Sequence, residues 1–225
     1  RATQYPCLSP HRCVQKPTMT TLVDYISERL KEFDQITHGR RTSLERLAAL
    51  ISGRAPAGPD KLIVFFCTHN SRRSQMAQIW AATAAHHFAV KGVIFQSAGI
   101  LATKVDRRTI QTLERVGFAC KRADGHNPLY TVQIGNPRQP IRLSSKTLTN
   151  SYQRPTNFIA VMTCSDADRE CPVIDGASNR LTLCYDDPKV ADGSPGEADV
   201  YDQCCRSISR DLLYAFSRIM KRSTN

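Results

Sequence analysis

The segment from Cys67 to Ser74 contains the residues whose types and spacing most directly indicate chemistry. It directly follows the apolar run 62–66, which predicts a strand that leads through a loop into a helix. The backbone N–H groups of such a loop can surround the oxygens of a tetrahedral anion, and Arg73 adds two parallel donors. The same positive field stabilises a Cys67 thiolate, which would attack the bound anion. We expect the oxyanion to be held by Thr68, His69, Asn70, Ser71, Arg72, Arg73 and Ser74.

Two other segments contain groups that could complete a reaction. Asp187 precedes Pro188 in a predicted loop, and a carboxyl group there can protonate a leaving oxygen when burial and an anionic substrate raise its pKa. Cys164 and Cys171 lie seven residues apart after another apolar run. Burial as small apolar residues is the simplest alternative for this pair. Zinc binding is less favoured, because neither a C-x-x-C motif nor a histidine pair is near, so we expect no metal and no cofactor.

These segments are positioned by an alternation of apolar strands and amphipathic helices. The sequence predicts strands at 62–66, 93–97, 118–121, 157–163 and 180–185, and helices at 74–88, 106–116 and 198–219. Such alternation indicates an α/β fold with a doubly wound parallel sheet, whose active site lies at the carboxyl ends of the strands. Because Cys67, Cys164 and Asp187 each follow a predicted strand, we expect them at the same edge of the sheet.

Residues 20–53 precede this alternation and have a helical pattern. Apolar residues recur at helical spacing over 20–33 and again over 42–53, and Thr42 with Glu45 forms a capping-box pattern for the second helix. We therefore predict an N-terminal helical hairpin that packs over a sheet face or against a partner subunit and takes no part in catalysis.

Residues 128–146 interrupt the alternation. Two short apolar runs flank a Gly-Asn-Pro turn there, which predicts a β-hairpin insertion. No Asp or Glu occurs in the range 125–165, whereas the basic residues Arg138, Arg142, Lys146 and Arg154 are present. The insertion is therefore either a basic flap beside an oxyanion site or a solvated loop.

We divide the chain into three parts. Residues 1–18 form a disordered extension, residues 19–58 contain the helical hairpin, and residues 59–225 form the domain that contains the cysteine loop. The extension has no acidic residue, and Met19 has the position of a natural start. We expect the preceding residues to be a disordered tail, a transit-peptide remnant or expression sequence.

The composition limits the class of protein. The chain has 225 residues, of which 41% are hydrophobic and 23% charged, as in soluble globular proteins, and no apolar stretch is long enough to span a bilayer. The net charge of +11 is spread along the chain and only 7% of residues are aromatic, which disfavours a nucleic-acid binder. The nine cysteines are odd in number without a visible secretory signal, which favours a reducing compartment. We expect a cytoplasmic protein that binds neither nucleic acid nor a membrane.

Taken together, the motifs resemble those of the thioredoxin-coupled arsenate reductases, which share a fold with the low-molecular-weight protein tyrosine phosphatases. The resemblance covers roughly residues 60–220, and the cysteine pair with its spacing is its specific part. His69 stands where these families usually have Gly, and Arg72 stands where the reductases often have a second Cys. Four motifs show this resemblance to the family: Cys67 to Ser74, Ser97-Ala98-Gly99, the Cys164/Cys171 pair with Pro172, and Tyr185-Asp186-Asp187-Pro188.

The resemblance implies a role for each residue of the first step. Cys67 attacks arsenate while Arg73 and the loop amides hold the oxygens. Ser74 forms a hydrogen bond with the thiolate, and Asn70 braces the loop. Asp187 protonates the departing hydroxide.

The resemblance also implies a disulfide cascade. Cys164 attacks Cys67 in the arsenic adduct and releases arsenite, and Cys171 then attacks Cys164 to give a disulfide that thioredoxin reduces. If residues 164–171 are helical in the reduced protein, seven rises of about 1.5 Å place the two Cα atoms about 10.5 Å apart. A disulfide requires about 4.4–6.8 Å, so we expect this segment to rearrange on oxidation.

Two other functions fit the same residues. A low-molecular-weight phosphatase that hydrolyses phosphomonoesters also uses Cys67, Arg73 and Asp187, but water resolves its phosphocysteine without further thiols. A redox sensor or anion-binding module without turnover is less favoured, because a complete set of nucleophile, arginine and acid is typical of enzymes. The small oxyanion substrate is therefore expected to be arsenate or a phosphate ester.

Overall fold

A parallel sheet of four strands forms the centre of the fold in the computed structural model, which describes residues 21–53, 60–135, 140–148, 155–171 and 173–222. In chain order the strands are β1 (Lys61–Cys67), β2 (Val93–Gly99), β3 (Cys120–Ala123), β4 (Leu129–Val132), β5 (Ile141–Leu143), β6 (Phe158–Met162) and β7 (Ala177–Thr182). The helices are α1 (Leu22–Lys31), α2 (His38–Ser52), α3 (Arg73–His87), α4 (Arg107–Arg115), α5 (Ser165–Glu170) and α6 (Glu197–Arg222).

The strand order of the parallel sheet is β2-β1-β6-β7, with all three pairings parallel. Strands β1 and β6 are almost continuously apolar because both of their faces are buried, as is typical of central parallel strands. The order reverses between β1 and β6, so the crevice at their carboxyl ends is the switch point where α/β sheets bind ligands. The predicted parallel sheet is confirmed. The last strand begins at Ala177 and ends at Thr182, three residues earlier at each end than the predicted strand 180–185.

Helices cover the two faces of the sheet unequally. One face carries the larger core, in which α1, α2, α3, α4 and α6 pack together with one set of strand side chains. The other face is covered by the short helix α5 and by loop residues that include Leu148 and Ile174. The short α5 therefore lies at the carboxyl edge of the sheet and packs against the smaller core.

The predicted N-terminal hairpin is present, with α1 and α2 joined through the 3₁₀ turn Phe33–Gln35. The two helices pack against α6 of the same chain, and Leu44 and Leu47 of α2 are fully buried there. The predicted start of the second helix at Thr42 is wrong, because the helix begins one turn earlier at His38 and Thr42 Oγ1 donates to the His38 carbonyl. Tertiary contacts stabilise this extra turn, in which the Arg40 Nε lies 2.7 Å from Asp211 Oδ2.

The insertion forms part of a second, antiparallel sheet in the order β3-β4-β5. The predicted β-hairpin is confirmed as the pairing of β4 with β5. The predicted strand at 118–121 lies instead at β3 and pairs with β4, so it is not part of the parallel sheet. Residues 136–139 of the hairpin turn, which include Arg138, lie outside the described residues, as do residues 1–18 and 54–59, Arg154 and Pro172. Within the described ranges, no helix is long and apolar enough to cross a membrane.

Candidate active site

The loop between β1 and α3 brings Cys67, Asn70 and Ser74 into direct contact. Cys67 is buried at the end of β1, and its Sγ lies 3.1 Å from Ser74 Oγ. Asn70 Nδ2 donates to the same Ser74 oxygen at 2.9 Å, which leaves the serine hydroxyl hydrogen free to point at the sulfur. Asn70 adopts a left-handed backbone with φ 44°, a conformation that Asn tolerates better than most residues. A hydroxyl donor is therefore fixed against the cysteine sulfur.

Residues outside the loop hold it in place. The Asn70 Oδ1 accepts the backbone N–H of Lys146 at 3.0 Å, and the His69 carbonyl accepts the Ser145 hydroxyl at 2.9 Å. Gln75 Nε2 donates to the Asn70 carbonyl at 2.9 Å. The insertion thus contributes its backbone and a hydroxyl to the loop. Ser145 and Gln75 carry no sequence signal apart from their neighbourhood, and the sequence reasoning missed both.

Gly99, at the end of β2, lies against the loop. A Cβ at this position would lie 2.8 Å from the Asn70 backbone nitrogen and closer still to the Leu101 carbonyl oxygen. The Gly99 N–H donates to the Lys146 carbonyl at 2.8 Å. Glycine at the end of the Ser-Ala-Gly sequence therefore lets the backbone of β2 approach the backbone of Asn70 closely, which a side chain would prevent.

Asp187 forms ion pairs with both arginines of the loop. Its carboxylate accepts Arg73 Nη2 at 2.7 Å and Arg72 Nε at 2.9 Å, while the Lys189 N–H donates to it at 3.1 Å. Burial raises the pKa of this carboxyl, but the Arg73 charge, the Lys189 N–H and the Arg72 charge together lower it below the ordinary value. Without an anion in the loop the pKa of Asp187 is therefore low, because the arginines face the carboxylate itself, and burial alone does not raise it.

Arg73 is positioned by the same loop as Asp187. Its Nη1 donates to the Tyr185 carbonyl at 3.0 Å, and the residue is only 6% exposed. Its Nε is buried and has no hydrogen-bond partner within the described residues. Arg72 is also buried and contacts Asp106 at 3.4 Å in addition to Asp187. The two guanidiniums thus form one ion-pair cluster with Asp106 and Asp187 at the end of the loop.

Cys164 lies beside the loop, at the end of the neighbouring strand β6. It is fully buried, and its Sγ is 3.6 Å from Thr68 Oγ1. It is also the N-cap of α5, where its Sγ accepts the Ala167 N–H at 3.4 Å. Cys171 is half-buried at the opposite end of α5, and its N–H donates to the Ala167 carbonyl at 3.1 Å. The segment between the two cysteines is thus helical.

Strand β7 tethers α5 through Asp168. Arg180 Nη2 donates to the Asp168 carbonyl at 2.7 Å and pairs with its carboxylate at 2.5 Å, and Thr182 Oγ1 donates to that carboxylate at 2.8 Å. Arg180 Nε also donates to the Cys171 carbonyl at 3.3 Å. The helix between the cysteines is therefore held mainly by one arginine.

The remaining described cysteines are largely buried, and burial disfavours their reactive thiolate form. Burial raises the pKa of Cys120, Cys204 and Cys205 to about 12, and it also raises that of Cys184. No group of three or more His, Cys, Asp or Glu is placed to hold a metal ion in the part of the chain that the structure describes.

Comparisons with known proteins identify the family. A family model described as low molecular weight phosphotyrosine protein phosphatase matches residues 62–128. The arsenate reductase of Bacillus subtilis is 28% identical over 162 residues, which are 72% of this chain and 99% of that protein. Arsenate reductase 2 of Staphylococcus haemolyticus is 30% identical over 130 residues, 57% of this chain and 79% of that protein. A solved arsenate reductase in the phosphate-binding state has a TM-score of 0.46 and 18% identity, and the alignment covers 71% of this chain and 98% of that one. The chain belongs to the family of the arsenate reductases and low-molecular-weight phosphatases, and it is an enzyme of this kind.

Proposed function

We propose that this enzyme reduces arsenate to arsenite, with Cys67 as the nucleophile, Cys164 and Cys171 as resolving thiols, and thioredoxin as the reductant. The observation that carries the proposal is the position of Cys164, whose Sγ lies 3.6 Å from Thr68 Oγ1 of the oxyanion loop. A hydrolase of this family needs no thiol at the end of β6. The relatives named as arsenate reductases support the same conclusion.

In the first step, the Cys67 thiolate forms a bond to arsenic and an As–OH bond breaks. The oxyanion takes up donors of Arg73 and the loop amides, including Arg73 Nε, which has no partner among the described residues. An arsenate dianion that binds Arg73 competes with Asp187 for that guanidinium. The anion nearby then raises the pKa of Asp187, which can donate its proton so that the oxygen leaves as water.

In the second step, Cys164 attacks the Cys67 sulfur of the arsenic adduct. The electron pair of the sulfur–arsenic bond passes to arsenic, so that As(V) becomes As(III) and leaves as arsenite. Cys67 and Cys164 are left as a disulfide. Cys171 then attacks Cys164, which frees the Cys67 thiolate, and the dithiol of thioredoxin reduces the Cys164–Cys171 disulfide by exchange.

The second candidate is a phosphatase that hydrolyses phosphomonoesters through a phosphocysteine at Cys67. It is supported by the match of the phosphatase family model, whose range 62–128 includes the whole oxyanion loop. The same loop, Arg73 and Asp187 suffice for this reaction, with water as the second nucleophile.

A paired assay separates the two functions. Arsenite formation with thioredoxin and its reductase, and p-nitrophenyl phosphate hydrolysis, are measured for the wild type, Cys67→Ser, Cys164→Ser and the control Cys120→Ser. We expect Cys67→Ser to lose both activities, Cys164→Ser to lose only arsenite formation, and Cys120→Ser to keep both. Arsenite formation that survives in Cys164→Ser rejects the reductase mechanism. Either activity in Cys67→Ser rejects the assignment of the nucleophile.

A further inference from the structure

A separate cleft of about 400 Å³ opens beside the oxyanion loop. It is lined by His69, Ser71 and Arg72 of the loop, by residues of the segment 103–108, and by Lys189. Because His69, Ser71 and Arg72 belong both to the loop and to the cleft lining, the cleft adjoins the loop. Arsenate alone is a single tetrahedral anion that the loop can surround, so the cleft is not needed to bind it.

The described residues neutralise only part of the positive charge of the cleft. Asp106 is the one acidic residue among its lining residues, and the carboxylate already pairs with Arg72 and Arg108 at 3.4 Å each. Arg108 in addition pairs with Glu197 at 2.7 Å. The exposed cations of the lining that have no carboxylate within ion-pair distance among the described residues are Lys104, Arg107 and Lys189.

These three cations come from two different segments. Lys104 and Arg107 lie before and at the start of α4, whereas Lys189 follows Asp187 on the 3₁₀ turn Pro188–Ala191. Like charges that converge on one cleft repel each other, and an anion placed between them relieves this repulsion. The start of α4 adds the positive end of a helix dipole.

We propose that the loop and this cleft together form a two-anion site, which binds a small molecule that carries two phosphate groups. One phosphate occupies the loop, and the second lies among Lys104, Arg107 and Lys189. This inference rests on the oxyanion role of the loop under the proposed function. The cleft contains no Phe, Tyr or Trp among its described lining residues, and its one ring is the small imidazole of His69, so it offers little stacking surface for a nucleobase or a phenyl ring. The ligand is therefore a compact, non-aromatic bisphosphate such as a sugar bisphosphate.

Titration calorimetry on the Cys67→Ser variant tests this inference, because that variant binds without turnover. The probes are inorganic phosphate, fructose 6-phosphate and fructose 1,6-bisphosphate at low ionic strength. We expect the bisphosphate to bind at least about tenfold more tightly than the monophosphate, since two linked charge-assisted contacts reinforce each other. This preference should shrink as salt is added.

Substitutions in the cleft provide the specific readout. The exposed triple variant Lys104→Ala/Arg107→Ala/Lys189→Ala, in the Cys67→Ser background, should lose the preference for the bisphosphate and lose less affinity for inorganic phosphate. The control Lys91→Ala removes an exposed cation that does not line the cleft and should keep the preference. Circular dichroism verifies folding of each variant.

The outcomes separate the two proposals. If inorganic phosphate binds but the mono- and bisphosphate bind equally, or if the triple variant keeps the preference, the two-anion site is rejected while the loop assignment stands. If inorganic phosphate does not bind to the folded protein, the oxyanion role of the loop and the two-anion site both fail. Tighter binding of an acidic phosphotyrosine peptide than of the bisphosphate also rejects the compact ligand.

Discussion

Oxidation of the Cys164/Cys171 pair should unfold α5. Cys164 is the N-cap of this helix and Cys171 its C-cap, so the whole helix lies between the two thiols. Seven helical rises of about 1.5 Å separate their Cα atoms by about 10.5 Å, whereas a disulfide tolerates at most about 6.8 Å. The two ends must therefore approach by about 4 Å, which a helix of fixed rise cannot do.

The interactions that α5 should lose on oxidation are visible in the structure. The Asp168 N–H donates to the Cys164 carbonyl at 3.0 Å and the Cys171 N–H donates to the Ala167 carbonyl at 3.1 Å, and both bonds depend on the helical backbone. The N-cap bond from the Ala167 N–H to Cys164 Sγ also breaks when that sulfur enters a disulfide. The tethers of Arg180 to Asp168 would have to release as well.

Hydrogen–deuterium exchange measures this change directly. The peptide that spans 164–171 should exchange faster in the oxidised wild type than in the reduced protein, with the amides of Ala167, Asp168 and Cys171 among those that lose protection. The Cys171→Ser variant, treated with the same oxidant, should keep the slow exchange of the reduced protein. Equal exchange of the segment in reduced and oxidised wild type would refute the unfolding of α5.

Four further predictions follow from single contacts. Arg180→Ala removes the tethers of α5 and should speed exchange of 164–171 in the reduced protein about tenfold, as expected for about 1.4 kcal/mol; unchanged exchange contradicts the tethering role. Asp187→Asn should lower Tm more at pH 7 than at pH 3: the folded-state pKa is lowered, so the ion pairs contribute above the unfolded pKa of about 3.9 and are lost as pH falls through the folded value. An equal loss at both pH values would speak against this. Gly99→Ala should cost about 1–3 kcal/mol by displacing Asn70 and should reduce both enzymatic activities, as assayed beside a denaturant titration. Leu47→Ala should lower the free energy of unfolding by about 2–5 kcal/mol with little change in the KM for arsenate, because the fully buried hairpin residue lies outside the site; a raised KM would show that the hairpin acts on the site.

Local patterns predicted the parts of the molecule that local forces determine. The apolar runs of β1 and β6 indicated central parallel strands because both faces of such strands are buried. The spacing of Cys67, Arg73 and Ser74 likewise indicated an anion loop, since a strand, a short turn and a helix start are close in sequence. A helix between Cys164 and Cys171 was only assumed as a condition from the sequence, and the structure contains it as α5.

Contacts between distant segments were not predictable in the same way. The charge environment of Asp187 depends on Arg72 and Arg73, more than a hundred residues earlier in the chain, so the sequence did not reveal the ion pairs that lower its pKa in the absence of substrate. Ser145 supports the loop only because the insertion folds back onto it. The strand β3 belongs to the antiparallel sheet because it pairs with β4, and this long-range pairing is not visible in its own sequence.

The strand order explains how one scaffold can serve both reduction and hydrolysis. The loop after β1 and the loop after β6 are neighbours because these two strands are paired, so the residue at position 164 lies beside the loop that contains Cys67. A polar residue there would leave the adduct to water, whereas a buried thiol offers a second sulfur within the same crevice. Cys164 is fully buried, which limits its exposure to external oxidants while keeping it next to Thr68 of the loop. Under the proposed mechanism, the choice between thiol and water thus depends on the residue at position 164, just after β6, and the shared attack by Cys67 leaves that choice open.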